Sequence, residues 1–222
     1  MTADSGSPSS NSFVRLIRQL RIRWILLYAL LLVVAVITAW FGLRWQQQRA
    51  LVLSIERAGG DVSTTPLEPQ WVDAVLVRSL GNNAVNGFRK IDWIEYNGAS
   101  VDEEDLARLS RLPDLRGLDL DGTAVTDADM QHLSTLNMIY LLRLSNTPVT
   151  DAGLMHLRGL TNISVLDVSN TQITDAGLEH VSGLANLELL FLYDTHVSDA
   201  GLPHLSGLTN LRGLDLENTQ IT

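Results

Sequence analysis

From Ile91 to its last residue this chain repeats itself every 24 residues. Leu118, Leu142, Leu166, Leu190 and Leu214 keep that step. So do Thr123, Thr147, Thr171, Thr195 and Thr219, and the acids Asp127, Asp151, Asp175 and Asp199, which sit in T-D-A or S-D-A triplets. The units run 91–114, 115–138, 139–162, 163–186 and 187–210, with a partial sixth at 211–222. A unit of 24 residues cannot bury its own apolar face, so such units must stack and share one continuous core.

The anatomy of a unit follows from its apolar spacing. Leu115, Leu118 and Leu120 alternate as the inward face of a short strand. Strands of neighbouring units then lie parallel, about 4.8 Å apart, in one sheet. Thr123 follows the strand. Its hydroxyl is expected to be buried, to bond backbone groups freed at the turn, and to link one unit to the next through the threonine column. Thr126 and Asp127 are expected to open a short helix, Thr as N-cap and Asp favouring the helix dipole, with Met130, Leu133 and Leu136 packed inward. The acidic run Asp102-Glu103-Glu104-Asp105 falls at the same place one unit earlier and reads as a helix start.

Ahead of the repeats, residues 24–43 hold no charge. About 20 apolar residues at about 1.5 Å rise match a hydrocarbon core of about 30 Å, so this stretch is expected to meet membrane lipid. Trp24 and Tyr28 near one end, and Trp40, Phe41 and Trp45 near the other, suit the two headgroup regions. The run is longer than a signal-peptide core, and bulky rings follow Ala39, so an uncleaved single-pass anchor is expected. Arg15, Arg18, Arg21 and Arg23 precede it while Arg44, Arg49 and Arg57 follow, which favours a cytoplasmic N-terminus with the repeats outside. The expected layout is a basic disordered tail over 1–21, a membrane helix over 22–45, a juxtamembrane helical stalk over 46–60 and an N-terminal cap region over 61–90. Repeats fill 91–222. In the cap region, Trp71, Val75 and Leu76 are the candidates for covering the first repeat.

The formal net charge is −9, and the part beyond residue 43 is more acidic still, with 24 acids against 12 basic residues. Nucleic acid is therefore an unsuitable partner, and a basic protein a suitable one. No cysteine is present, which removes disulfides and thiolate chemistry. Phosphate-loop, dinucleotide-binding and serine-hydrolase motifs are absent, so neither an enzyme nor a cofactor, metal or small-molecule substrate is expected. His132, His156, His180 and His204 recur with the period as part of the repeated unit, on helices too far apart to share one ion.

The L-x-x-L-x-L core and the 24-residue period resemble leucine-rich repeats. The unit T-Q-I-T-D-A-G-L-E-H-V-S-G-L-A-N-L-E-L-L-F-L at 171–192 is similar to those of membrane-anchored proteins common in planctomycete-type bacteria. The Arg-flanked span, I-E-R-A-G-G at 55–60 and the Trp-led segment before the repeats fit the same group. The resemblance implies an α/β leucine-rich-repeat solenoid, one parallel strand, turn and short helix per repeat, preceded by a single transmembrane helix. It implies a protein-binding module. F-box-type ubiquitin-ligase receptors carry similar repeats, but with Cys where Thr123, Thr147 and Thr171 stand, and after an F-box rather than a span.

The expected binding surface is the concave strand face, where Leu141, Val165 and Leu189 fall side by side with Trp93, Phe191 and Tyr193 nearby. Arg143, between Asp119 and Asp167, is either an anchor for a partner carboxylate or a residue braced by the two acids. Two alternatives accompany protein binding. One is a scaffold assembling through an open edge at Leu211, Leu214, Leu216 and Ile221, since the chain stops at Thr222. The other is a cytoplasmic substrate receptor for a modifying enzyme.

Overall fold

The structure is a computed structural model that describes residues 10–66, 70, 73–74, 77–78, 90–112 and 114–222. The cap candidates Trp71, Val75 and Leu76, and residues 1–9 of the tail, lie outside the described residues, as do the side chains of Trp24 and Phe41. The chain forms two units, Met1–Gln46 and Gln47–Thr222.

The first unit is helical from Ser10, inside the segment read as a tail, and its helix α1 runs without a break to Ala58 in the second unit. A helix of 49 residues is about 73 Å long. Within it, Tyr28–Ala58 contains a stretch of mean hydropathy 1.8, long and apolar enough to cross a membrane by length and composition. An anchor and a signal sequence both meet that description. Tyr28, Leu31, Ile37 and Trp40 are all more than 45% exposed among the described residues. Thr38 removes its own polar cost by donating to the Val34 and Ala35 carbonyls.

In the second unit the last turns of α1 are not a free stalk. Gln48, Leu51, Val52 and Ile55 share one face at i, i+3, i+4, i+7 spacing and are buried in the core of the repeats. Ser54 Oγ donates to Asp105 Oδ1 at 2.7 Å, tying the helix to the first repeat. Gly59, at φ +95°, and Gly60 end the helix. Their N–H groups reach the Glu56 and Ile55 carbonyls, the bond pattern that satisfies a helix C-terminus when a left-handed residue follows. A side chain on Gly60 would strike the Glu95 carbonyl and Ile55, so the chain can reverse closely here. It enters strand β1 (Asp61–Thr65), which pairs antiparallel with β2 (Lys90–Glu95).

From β2 onward every pairing is parallel: β3 (Gly117–Asp119), β4 (Leu141–Arg143), β5 (Val165–Asp167), β6 (Leu189–Phe191) and β7 (Gly213–Asp215) follow in chain order. The register is the period itself, with Ile94, Leu118, Leu142, Leu166, Leu190 and Leu214 paired in sequence. Leu118, Leu142 and Leu166 are fully buried, whereas Leu214 is 37% exposed. Tyr96 fills the first repeat at the place of Leu120. Its buried hydroxyl lacks a hydrogen-bond partner among the described residues, and burial pushes its pKa well up.

The side opposite the sheet is less helical than the sequence suggested. α-Helices occur at α2 (Glu103–Leu109), α3 (Asp151–Leu154) and α4 (Asp175–Val181). The repeats at 115–138 and 187–210 carry only 3₁₀ turns, Asp129–Leu133 and Leu202–Leu205. Each repeat allots this segment only a few residues, and i→i+3 bonds close such short pieces with fewer unsatisfied ends. At α2, Asp102 caps the N-terminus by accepting from the Asp105 N–H at 2.7 Å.

Two roles read from the repeat change in the structure. The buried threonines do bond the turn: Thr123, Thr147 and Thr195 donate to the carbonyls of Leu120, Leu144 and Leu192 at 2.6–2.7 Å. Those carbonyls belong to the same repeat, so the threonine column does not join neighbours. The joining is done by the T-D aspartates. Asp127 accepts both the N–H and the hydroxyl of Thr150, each at 2.7 Å. Asp151 does the same to Thr174, Asp175 to Ser198 and Asp199 to Thr222. Each carboxylate thus bridges to the next repeat rather than serving its own helix dipole alone. The Thr150 hydroxyl works twice, donating to Asp127 while accepting from the Ala152 N–H as helix cap.

The same bridge explains the glycine of T-D-A-G-L. A Cβ on Gly153 or Gly201 would stand 2.5–2.6 Å from Oδ1 of Asp127 or Asp175. The second repeat supplies the control. Upstream of it, Glu103 holds the aspartate position, and Asp129 replaces the glycine. Asp129 Oδ2 accepts the Thr126 N–H and hydroxyl at 2.8 and 2.7 Å, doing from within the repeat what Asp127 does for its neighbour. Thr126 donates its hydroxyl to Asp129, and a 3₁₀ turn rather than an α-helix follows it.

Candidate protein-binding face

Because side chains alternate along a strand, the residues flanking each inward leucine stand on the sheet face opposite the core. At the first strand position the register joins Trp93, Gly117, Leu141, Val165, Leu189 and Gly213 into one row. Leu141, Val165 and Leu189 are neighbours, as their spacing implied, and each is half-buried. Trp93 is not isolated from them by the glycine at 117. A Cβ on Gly117 would collide with the Trp93 indole, so the ring lies over that position. Leu189 covers Gly213 in the same way, with Cδ2 2.6 Å from where a Cβ would be. The row is therefore an uncharged stripe without a gap across six strands.

The second row is Glu95, Asp119, Arg143, Asp167, Phe191 and Asp215. Asp119, Asp167 and Asp215 each use one oxygen to accept the N–H two residues on, at 3.0 Å, closing the turn after the strand. Arg143 Nη1 donates to the other Asp119 oxygen at 3.1 Å, and its Nε lies 3.9 Å from Asp167. The Asp119 hydrogen bond, with the charges of Asp119 and Asp167, raises the Arg143 pKa. Its side chain is still half exposed, so the guanidinium is braced but reachable. Phe191 lies between Asp167 and Asp215, half-buried, and Tyr193 is 38% exposed at the mouth of the following turn.

Beyond the strands the turn is held in a left-handed conformation, with positive φ at Asn146, Asn170, Asp194 and Asn218. Asn and Asp tolerate that conformation better than other side chains. Asn170 donates to Asn146, and Asn146 with Ser145 donates to Asp121, each at 2.8 Å for the latter pair. The Asn146 hydrogen bond holds the Asp121 carboxyl below the usual range, with Ser145 and Arg143 adding to it. These turns fix the edge of the face.

A cavity of about 560 Å³ at the strand entry is lined by Thr65, Lys90, Asp92, Asp114, Arg116 and Met138 among others. Within it Lys90 pairs with Asp114 at 3.6 Å and the Thr65 hydroxyl donates to Asp92 at 2.8 Å. On the opposite side, His180 Nδ1 meets the Arg158 guanidinium, which also reaches Glu179. Among the described residues no three histidines and carboxylates converge as metal ligands would.

One parallel strand for each 24-residue unit, with the leucines turned inward, defines a leucine-rich-repeat solenoid. No family model matches the chain, and no curated protein matches it in sequence. Among solved structures it is similar to an internalin (inlF) from Listeria monocytogenes, at 24% identity and TM-score 0.49, over 58% of this chain and 35% of that one. Internalin C2 (inlC2) from the same organism matches at 21% identity and TM-score 0.42, over 63% and 75%. The plant peptide hormone receptor RGFR1 in complex with RGF2 matches at 17% and 0.40, over 52% and 19%. The chain thus spans about a third of the length of the first of these, 35%.

Proposed function

We propose that this chain is a single-pass membrane protein whose repeats bind another protein on the sheet face opposite the core, without catalysing a reaction. The observation that carries the reading is the uncharged stripe from Trp93 through Leu141, Val165 and Leu189, with Phe191 and Tyr193 beside it. An apolar and aromatic surface on a hydrogen-bonded sheet loses little conformational entropy on binding, which is what a recognition surface needs. Arg143, in the neighbouring row, completes the proposed contact set. The test is a photoreactive side chain placed at residue 165 or at residue 179 on the opposite side. A discrete cross-linked protein from 165 alone supports the reading, and equal products from both positions contradict it.

The apolar part of α1 is the proposed anchor. The arginine excess before it supports a cytoplasmic N-terminus with the repeats on the other side. A reporter active only outside the cytoplasm, fused after Thr222, is expected to work. Replacing Arg15, Arg18, Arg21 and Arg23 together should scramble the orientation, and activity of a cytoplasm-requiring reporter in the unaltered chain would reverse it.

A further inference from the structure

The face is sorted across its width. The stripe occupies the first strand position and has no charge. Two residues further along each strand, and in the turns after, stand Glu95, Asp121, Asp167, Asp194, Asp215 and Glu217. Asp119 and Asp167 share Arg143. Glu95, Asp194, Asp215 and Glu217 have no cationic partner among the described residues. The other flank, one residue before the stripe, reads Asp92, Arg116, Tyr140, Ser164, Glu188 and Arg212, balanced in charge, with Arg212 paired to Glu188 at 3.1 Å. A ligand lying along the stripe therefore meets a negative field on one side only.

We propose that the occupant of this face is a basic amphipathic helix of another protein, lying across the strands with its apolar ridge on the stripe and its Lys and Arg toward the acidic turns. The proposal rests on the reading of this face as a protein-binding surface. Dimensions favour a helix. The stripe steps about 4.8 Å from strand to strand, close to the pitch of about 5.4 Å at which a helix presents one apolar residue per turn. An extended segment repeats its side every two residues, about 6.8 Å, and falls out of step within two strands. Six strands give a stripe of about 24 Å, room for about four helical turns. The acids lie about 7 Å to one side, within reach of a lysine on the flank of such a helix. Unpaired carboxylates on a rigid surface also raise the encounter rate with a cation and repel an acidic competitor.

The experiment uses the full chain in nanodiscs of zwitterionic lipid and three synthetic peptides of equal length. One is a Leu/Lys amphipathic helix, one its Leu/Glu counterpart, and one the Leu/Lys composition in an order without helical amphipathicity. The Leu/Lys helix is expected to bind, and Val165→Asp should weaken it at least about tenfold. The pair Asp215→Lys with Glu217→Lys should weaken it similarly, while Glu179→Lys on the opposite side changes affinity less than about twofold. Tyr193→Asp replaces Val165→Asp as the face variant if circular dichroism shows the latter unfolded. Binding of the Leu/Glu helix with equal affinity, lost in Val165→Asp, would overturn the basic partner and leave the face a binding surface. Equal binding of the scrambled peptide would overturn the helix. If none of the three peptides binds, or if binding ignores both face variants, the proposal fails. A discrete cross-link from residue 165 alone would then still uphold the face as a binding surface, whereas equal products from 165 and 179 would remove both readings.

Discussion

The aspartate seam and the exposed sheet face are built from the same 24-residue unit and obey opposite rules. Along the seam the residue types recur: Asp, then Thr or Ser one repeat on, then Gly. Each is fixed by a neighbour, since the aspartate of one repeat accepts two bonds from the next and leaves no room for a side chain on its glycine. Across the sheet face the types change at every step, as in Glu95, Asp119, Arg143, Asp167, Phe191 and Asp215. Nothing about stacking needs that variety. Repeated positions hold the solenoid together, and varied positions are free to recognise something outside it.

The largest effect that would sharpen this contrast is in the core. Leu166→Ala should cost about 2–5 kcal/mol through lost burial and a residual cavity, and Leu214→Ala markedly less because its side chain is already 37% exposed. Urea unfolding followed by circular dichroism separates the two. Equal costs would mean the strands are not registered as described.

Next comes the seam. Asp151→Ala leaves the Thr174 N–H and hydroxyl without acceptors, at an expected cost of about 1–3 kcal/mol. Acid should reach the same bonds. Hydrogen bonds from Ser198 hold the Asp175 carboxyl below its unfolded value of 3.8. A carboxyl lowered on folding stabilises above the unfolded pKa and loses that contribution as pH falls through the folded one. Stability should therefore drop below about pH 3.8, and less steeply in Asp175→Asn. A pH profile unchanged by that substitution would remove Asp175 from the seam.

The glycines give a smaller test with opposite signs. Gly177→Ala drives a Cβ into Asp151 and Ile173 and should cost about 1–3 kcal/mol. Gly159→Ala meets nothing within 4 Å and should be neutral or stabilise by up to about 1 kcal/mol. In an Asp151→Ala background the Gly177→Ala cost should shrink, because the carboxylate it strikes is gone. Additive costs would show that the glycine answers to something other than the bridge.

How much of this could be read from the residues depends on what a period can encode. It gave the strand positions, the pairing of Leu142 with Leu166, and the threonine hydroxyls at the turn, because each is settled inside one unit. In a repeating sequence, though, a contact within a unit and the same contact to its neighbour look identical. Asp127 could be read as serving its own helix when its partner is Thr150, 23 residues away. One irregularity carried the answer: Asp129 stands where later repeats have Gly, just after the repeat in which Glu103 replaces the aspartate. The buried end of α1 was hidden differently. Gln48, Leu51, Val52 and Ile55 have helical-face spacing, but the ridge is only two turns long and opens on Gln48, within the polar run R-W-Q-Q-Q-R at 44–49. On the sheet face, the neighbours Leu141, Val165 and Leu189 followed from the period, whereas the lean of Trp93 over Gly117 depends on a side-chain direction that no spacing encodes.

The proposed role of the varied face is tested most directly by measuring folding and partner binding on the same two substitutions, Phe191→Ala and Tyr193→Ala, in the full chain. Both side chains point away from the core, so circular dichroism and thermal unfolding should stay near those of the unaltered protein. Affinity for the protein cross-linked from residue 165 should fall about thirtyfold for each, the equivalent of about 2 kcal/mol at a binding hot spot. Unfolding by Phe191→Ala, or undiminished binding in both variants, would contradict recognition by this face.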